Sequence, residues 1–401
     1  MPDVTFGNLL VVSVIAALAP LLLGFLPRVR LPSPVLEIAA GVVLGPGALG
    51  WVHADLPVQV LSVVGLAFLL FVSGLEIDVH ALRGRPLRRS VAGYAITLAV
   101  GLAIASVLRA TGTIGDVALI AVTLSATSLG LVVPVLKDAG QLESPIGKQI
   151  LVASSVADLA AIVLLSLLFS GGSSSLGAKV VLLGGFAALV LALAATLATA
   201  GRSMRLRDVL GRLQDTTAQI RVRLVVVLVV GFVVLARTFG LESILGAFVA
   251  GVVVALLDRD ATSHPHLRTK LEAIGYGFLI PVFFVSSGIR LDLRGLIASP
   301  RALLLVPLFL ACLLAVRGLA ALPYLREFSR DAVLAAGLLQ ATSLPVIVTA
   351  TQIGVATGRL TTVTAAALVT AGLLSVLLFP VAALGRLKPR ARDTLADLRT
   401  R

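Results

Sequence analysis

Apolar runs of about twenty residues, the length a helix needs to cross the hydrocarbon core of a bilayer, recur along this chain with short polar breaks between them. Thirteen such spans can be read, beginning near residues 8, 33, 56, 88, 115, 146, 177, 220, 241, 271, 302, 331 and 360. Backbone in lipid must satisfy its own polar groups, and a continuous apolar run does so only as a helix. The chain is therefore expected to be an all-α integral membrane protein. Its charged share of 13%, against about 25% in soluble domains, agrees. MPDVTFG, ahead of the first span, carries an acid and no base, so that span reads as a retained helix and not as a cleavable leader.

The formal charge of +13 follows from membrane orientation. With the N-terminus outside, the inner loops hold about 25 Lys and Arg, among them RVR at 28–30, RGRPLRR at 83–89, the stretch Arg202 to Arg223 and the tail after Arg386, and the outer loops about 7. Membrane lipid is thus the expected partner. No aromatic-rich basic domain is present to receive nucleic acid. Cys312 is the only cysteine, so neither an intramolecular disulfide nor a thiolate metal cluster is available. His53, His80, His264 and His266 all fall in or near loops. With no intramembrane histidine to activate a serine and no second mid-membrane acid, an enzyme is not expected, nor is a cofactor.

Two phrases in the chain recur. ATSL at 126–129 returns at 341–344, and FVSGLEIDVHAL at 71–82 returns as FVSSGIRLDLRGL at 284–296, matching Gly74 with Gly288 and Asp78 with Asp292. AAGVVLG at 39–45 has a looser echo in VAGVVVA at 249–255. The offsets of about 210 to 215 residues make spans 2, 3 and 5 the counterparts of spans 9, 10 and 12. A displacement of seven spans is odd, so the second copy enters the membrane from the opposite side. The expected fold is two inverted six-helix repeats joined by a linker helix at 177–200, with the two ATSL spans as crossing broken helices. Secondary transporters share that plan and place their substrate near the midplane on interrupted helices. Gly130 and Pro134 after the first ATSL, and Pro345 after the second, give each helix a reason to unwind. Thr127, Ser128, Thr342 and Ser343 can then satisfy freed backbone groups or an ion, helix packing being their plainer alternative role.

Asp158 lies near the middle of span 6. An acid at that depth costs about 3 kcal/mol on insertion scales and is functional by default. It can exchange a proton for a metal ion, the alternative being permanent pairing with a base. Arg317, in span 11, stays charged through any cycle. It can supply fixed charge to the carbonyl end of an interrupted helix or to a carboxylate, or snorkel to the surface. Ser154 and Ser155, just before Asp158, and Gln340, beside the second ATSL, complete the candidate set. Glu37, Glu76, Asp78, Glu242 and Asp292 lie close to expected helix ends, within reach of water or loop arginines, and read as structural.

EIAAGVVLGPGALG, FLLFVSGLEID, LSATSLGLVVPVLKDAG, ILGAFVAG and IPVFFVSSGIRLDL together make the chain resemble the monovalent cation:proton antiporter superfamily, particularly its second branch of bacterial sodium or potassium/proton antiporters. The resemblance implies exchange of Na⁺ or K⁺ for H⁺ in a bacterial plasma membrane, by a homodimer with N-terminus outside and C-terminus inside. It matches Asp158 with the family's ion-binding aspartate, Thr127 and Ser128 with its broken-helix polar pair, and Arg317 with the basic residue facing the site. Asp158 and Thr127 would hold the metal ion. Residues 87–171 and 298–388 would form an ion-binding core, 1–86 and 219–297 a dimerisation scaffold, 172–218 the linker helix and a cytoplasmic loop, and 389–401 a short cytoplasmic tail. The chain departs from the family at Ala157, where an Asp or Asn usually stands. A single acid with an arginine implies electroneutral exchange. A sodium-coupled organic solute symporter and a gated potassium efflux channel remain the alternatives.

Overall fold

The computed structural model describes residues 5–25, 32–78, 82–169, 176–200, 219–257, 267–298 and 300–387. His80, His264, His266, the loop arginines at 28–30, the cytoplasmic loop at 201–218 and the tail lie outside the described residues. The chain forms α1 (Gly7–Phe25), α2 (Ser33–Leu44), α3 (Leu56–Leu75), α4 (Gly84–Ala110), α5a (Val117–Ser125), α5b (Leu129–Asp138), α6 (Pro145–Phe169), α7 (Leu176–Ala200), α8 (Ile220–Thr238) and α9 (Ser243–Leu257). Next comes α10, which runs Leu267–Ile274, passes through a π turn at Gly275–Leu279 and continues as Ile280–Ile289. After a short helix at Leu293–Ile297 come α11 (Pro300–Leu319), a 3-10 turn at Leu322–Arg326, α12a (Arg330–Gln340), α12b (Pro345–Ala356) and α13 (Thr362–Leu384). Among the numbered helices, five starts are set by side chains that accept an otherwise unpaired backbone N–H: Asp55 from Val58, Asp116 from Leu119, Ser144 from Gly147, Ser329 from Ala332 and Thr361 from Thr364.

Counting each broken helix once, ten segments among the described residues are long and apolar enough to cross a membrane. The other three are α2, α8 and α9. The expected length fails at α2 and α9, which have 12 and 15 residues. At 1.5 Å per residue they rise roughly 18 and 22 Å, short of the roughly 30 Å hydrocarbon core. Extended backbone at Pro32 and Gly45 brackets α2. The two short helices are repeat counterparts, so the shortening itself is duplicated.

The inverted repeat appears in how glycines pair. A Cβ on Gly288 of α10 would strike the Ile38 carbonyl of α2, and one on Gly41 of α2 would strike the Val285 carbonyl of α10. Likewise a Cβ on Gly74 of α3 would strike the Phe248 carbonyl of α9, and one on Gly251 of α9 the Phe71 carbonyl of α3. Gly74 matches Gly288 and Gly41 matches Gly251 in the repeat, so α2–α10 and α3–α9 are the same close crossing made twice with the partners exchanged. Small residues allow that approach.

Around these crossings α1, α2, α3, α8, α9 and α10 pack on one another, and α4, α5a, α6, α11, α12 and α13 form a second packed set. The broken spans are the most enclosed. Of their apolar windows, 83% is buried for α12 and 72% for α5, against 17% for α1 and α7. Polar groups freed at the breaks therefore depend on protein partners.

Candidate functional site

The first break falls on the ATS residues themselves. Ala126 and Ser128 are extended, with ψ of 156° and 100°, between the end of α5a at Ser125 and the start of α5b at Leu129. Pro134, read from the sequence as a reason for the break, instead sits inside α5b. Pro345 starts α12b, where its missing N–H removes nothing, and Leu344 (φ −142°, ψ −56°) leaves the helical region ahead of it.

Each break is held by a side chain of the following helix. Asp158, on α6 and 4% exposed, accepts a hydrogen bond through Oδ2 from the Leu129 N–H at 3.1 Å. It thus serves as the remote cap of α5b, while Ser128 accepts the first intrahelical bonds through its carbonyl only. At the second break Ser375, on α13, accepts from the Ser343 N–H at 3.2 Å and lies 3.3 Å from the Ser343 carbonyl. The two contacts brace their breaks in the same manner, although in the ATSL register the second falls one residue earlier, at Ser343 and not Leu344. One is made by a charged group and the other by a hydroxyl, so the site is chemically one-sided.

Arg317 joins the two breaks. It is 1% exposed, and its Nε donates to the Gln340 carbonyl at the end of α12a (3.2 Å) and its Nη1 to Thr97 Oγ1 (3.3 Å). Its Nη2 donates to Thr127 Oγ1, which in turn donates to the Gln340 carbonyl at 2.9 Å. Its charge is therefore spent on the negative end of α12a and on a hydroxyl in the first break, with no ion pair to Asp158. The snorkelling alternative does not apply to a side chain so enclosed. Thr342 donates to the Leu338 carbonyl (3.3 Å), and the Gln340 amide to Tyr324 (3.4 Å).

Three buried oxygens are left over around this frame. Asp158 Oδ1, Ser154 Oγ and Glu76 Oε2 have no hydrogen-bond partner among the described residues. Ser155 is buried, and its side chain makes no hydrogen bond among the described residues. Glu76, at the end of α3, was read from the sequence as structural because it lies near a helix end. Its carboxylate instead presses on the first turn of α5b, where a Cβ on Gly130 would lie 3.2 Å from Oε2, while Oε1 accepts from Tyr276 at 3.4 Å. Gly130 thus makes room for the acid and does not act as a helix breaker. Asp158 and Glu76 approach the α5b N-terminus from two helices, where its unpaired N–H groups favour negative charge.

The other acids set aside in the sequence diverge. Glu37 is 3% exposed in α2, so it is enclosed by protein and not open to water. Asp292 accepts from the Gly295 N–H and from Thr362 Oγ1 (both 2.8 Å), and Asp78 is exposed. At Glu242, outside the helices, burial pushes the carboxyl above its usual range, while Arg237 and Lys179 oppose the shift. Ser343 Oγ is a further buried hydroxyl without a partner. Glu76, Ser375 and Thr97 were missed in the sequence. Only Glu76 had a signal there, as the acid of the repeated FVSGLEID phrase.

Unpartnered carboxylate and hydroxyl oxygens suit a proton or a hard cation. Among the described residues no cluster of three or more His, Cys, Asp or Glu is placed to hold a resident metal.

The family model described as "Sodium/hydrogen exchanger, transmembrane" matches residues 13–384. The chain is 32% identical over 397 residues to the "Putative Na(+)/H(+) antiporter YjbQ" of Bacillus subtilis (strain 168), covering 95% of this chain and 63% of that protein. It is 32% identical over 296 residues to "Cation/H(+) antiporter 19" of Arabidopsis thaliana, covering 68% of this chain and 36% of that protein. The chain thus spans less than two thirds of the length of both relatives. The structure of the sodium proton antiporter MjNhaP1 from Methanocaldococcus jannaschii at pH 8 superposes with a TM-score of 0.68 at 17% identity, covering 96% of this chain and 98% of that one. That match concerns the fold. By its sequence match over nearly the whole chain, the protein belongs to the sodium/hydrogen exchanger family of transmembrane proteins.

Proposed function

We propose that this protein exchanges a monovalent cation, Na⁺ or K⁺, for H⁺ across a bacterial plasma membrane, with cation and proton competing for Asp158. One observation carries this reading: a buried carboxylate keeps one oxygen unpartnered beside the break in α5, while the nearest arginine is engaged by a helix end. An acid locked to Arg317 could not release its charge to a cargo ion. This one can accept either a proton or a cation. Glu76 Oε2, Ser154 Oγ and the Thr127 backbone carbonyl would complete an oxygen shell.

Residues 87–171 and 298–388 act as the ion-binding core, moving against a dimerisation scaffold of 1–86 and 219–297, with 172–218 linking them and the tail at 389–401 cytoplasmic. The core turns the loaded site from one face to the other. Neutralising the buried carboxylate, by proton or by cation, removes most of the charging cost of crossing. With Asp158 the one group that trades its cargo, and Arg317 and Glu76 each unchanged in charge through the cycle, one proton is exchanged per cation and no net charge moves. The N-terminus lies outside and the C-terminus inside, as the loop charges favour.

The test is proton flux in liposomes holding wild type or Asp158→Asn, following internal pH after addition of Na⁺, K⁺ or Li⁺ with the membrane potential clamped at several values. Cation-triggered, voltage-indifferent flux in wild type and none in a folded Asp158→Asn is expected. Full exchange in Asp158→Asn would overturn the assignment of the site.

A further inference from the structure

The repeat places an acid and a base at equivalent positions. With Gly74 matched to Gly288 and Asp78 to Asp292, Glu76 corresponds to Arg290. The structure makes the correspondence local as well. Both residues follow the last turn of their helix with nearly the same backbone, φ −76°, ψ −12° at Glu76 and φ −84°, ψ −5° at Arg290. Glu76 N–H bonds to the Val72 carbonyl and Ile77 N–H to that of Gly74; Arg290 N–H bonds to Ser286 and Leu291 N–H to Gly288.

These two positions lie at opposite ends of the packed pair α3–α10. Helices α3 and α10 pack antiparallel, since Gly275 near the start of α10 faces Val72 near the end of α3, while Gly65 earlier in α3 faces Leu279 and Phe283. Glu76 therefore stands at the end, or mouth, of the α3–α10 pair nearest the break in α5, and Arg290 at the other mouth of the same pair. At the Arg290 mouth the two packed sets are joined by Gln352 donating to Ser287 (3.1 Å) and Thr362 donating to Asp292 (2.8 Å). At the other mouth Glu76 reaches the first turn of α5b. Arg290 is exposed and no carboxylate pairs with it among the described residues.

We propose that Glu76 and Arg290 make the two faces of the carrier unequal, so that the cation is held more tightly when the site opens toward Glu76 than when it opens toward Arg290. The inference rests on the alternating-access reading above. In an inverted repeat, turning the site to the other face exchanges the roles of the two halves. Arg290 then takes, beside the start of α12b, the place that Glu76 now takes beside α5b. A carboxylate at the mouth attracts an entering cation and a guanidinium repels it, over distances at which salt screens only partly. Unequal affinity leaves the transport equilibrium untouched. It does set which way the site faces when cation is abundant, because a ligand favours the conformation that binds it better.

The experiment measures the half-saturating Na⁺ and K⁺ concentrations for proton exchange in right-side-out and inside-out membrane vesicles. It compares wild type, Arg290→Lys, Arg290→Gln and Arg290→Glu. In wild type and Arg290→Lys the Glu76 face should saturate at lower cation. Arg290→Gln should lower the value at the Arg290 face about threefold and Arg290→Glu about tenfold, the latter worth about 1.4 kcal/mol, with the Glu76 face unchanged. Working exchange with equal values on both faces, or a charge reversal that moves both faces alike, would overturn the asymmetry and leave the antiport reading standing. Should Arg290→Glu not assemble, Arg290→Gln against Arg290→Lys decides the matter. Wild-type vesicles without Asp158-dependent exchange would overturn the parent reading, and this one with it.

Discussion

Removing Arg317 tests whether its role is to brace the two breaks or to take part in transport. Arg317→Met keeps much of the volume and deletes three donors, those to Gln340 O, Thr97 Oγ1 and Thr127 Oγ1. None of these acceptors is wholly abandoned in the variant. Gln340 O keeps its bond from Thr127, and Thr97 still donates to the Gly93 carbonyl. The cost is then three interhelical hydrogen bonds at about 0.6 to 1.7 kcal/mol each, a loss of about 2 to 5 kcal/mol. Thr97→Val removes one acceptor of the same guanidinium and leaves the Thr127 bond to Gln340 O in place. The double variant should therefore lose less than the sum of the single losses, by about 0.6 to 1.7 kcal/mol. An SDS titration of the protein in mixed micelles measures all four stabilities. Residual exchange in Arg317→Met should remain indifferent to voltage, because the arginine carries no transported charge. Strict additivity, or a loss below about 0.5 kcal/mol, would refute the bracing argument; it would mean that the cost of burying the guanidinium already cancels its bonds.

Two further outcomes follow from geometry and from competition. Gly288→Val and its repeat counterpart Gly74→Val should each prevent assembly, since the added carbon meets a backbone carbonyl of α2 or α9 that cannot swing aside; yield of monodisperse protein in detergent checks this, and normal yield of either would contradict the close crossing. If proton and cation share Asp158, lowering the pH supplies more of the competitor, so the half-saturating cation concentration should rise as pH falls while the maximal rate holds. Initial rates over a grid of pH and cation concentration decide it, and a falling maximal rate with constant half-saturation would place the proton elsewhere.

Much of the site could be seen in the chain because its signals are repeats or anomalies. The ATSL pair stands out as hydroxyls inside apolar runs, and Asp158 and Arg317 as charges where charge is costly, so each could be singled out without knowing its neighbours. Glu76 shows the limit of that approach. Its position near a helix end has the same appearance whether the carboxylate faces water or the start of α5b, and only Gly130 across the interface distinguishes the two. Pro134 misled for a related reason, since the first break is stabilised by Asp158 from another helix and needs no proline.

Hydrophobic length, the odd displacement of the repeat and the charge bias of the loops are properties of the chain read along its length. They are enough to determine an all-helical membrane protein with inverted halves and two interrupted helices. Which groups meet across helices is a matter of rotation and crossing. Tertiary structure alone decided that Arg317 is spent on the end of α12a, that Asp158 keeps a free oxygen, that Glu76 joins it, and that Arg290 stands at the opposite mouth. The physical reason is that a buried polar atom is defined by its partner, and these partners stand tens to hundreds of residues away along the chain.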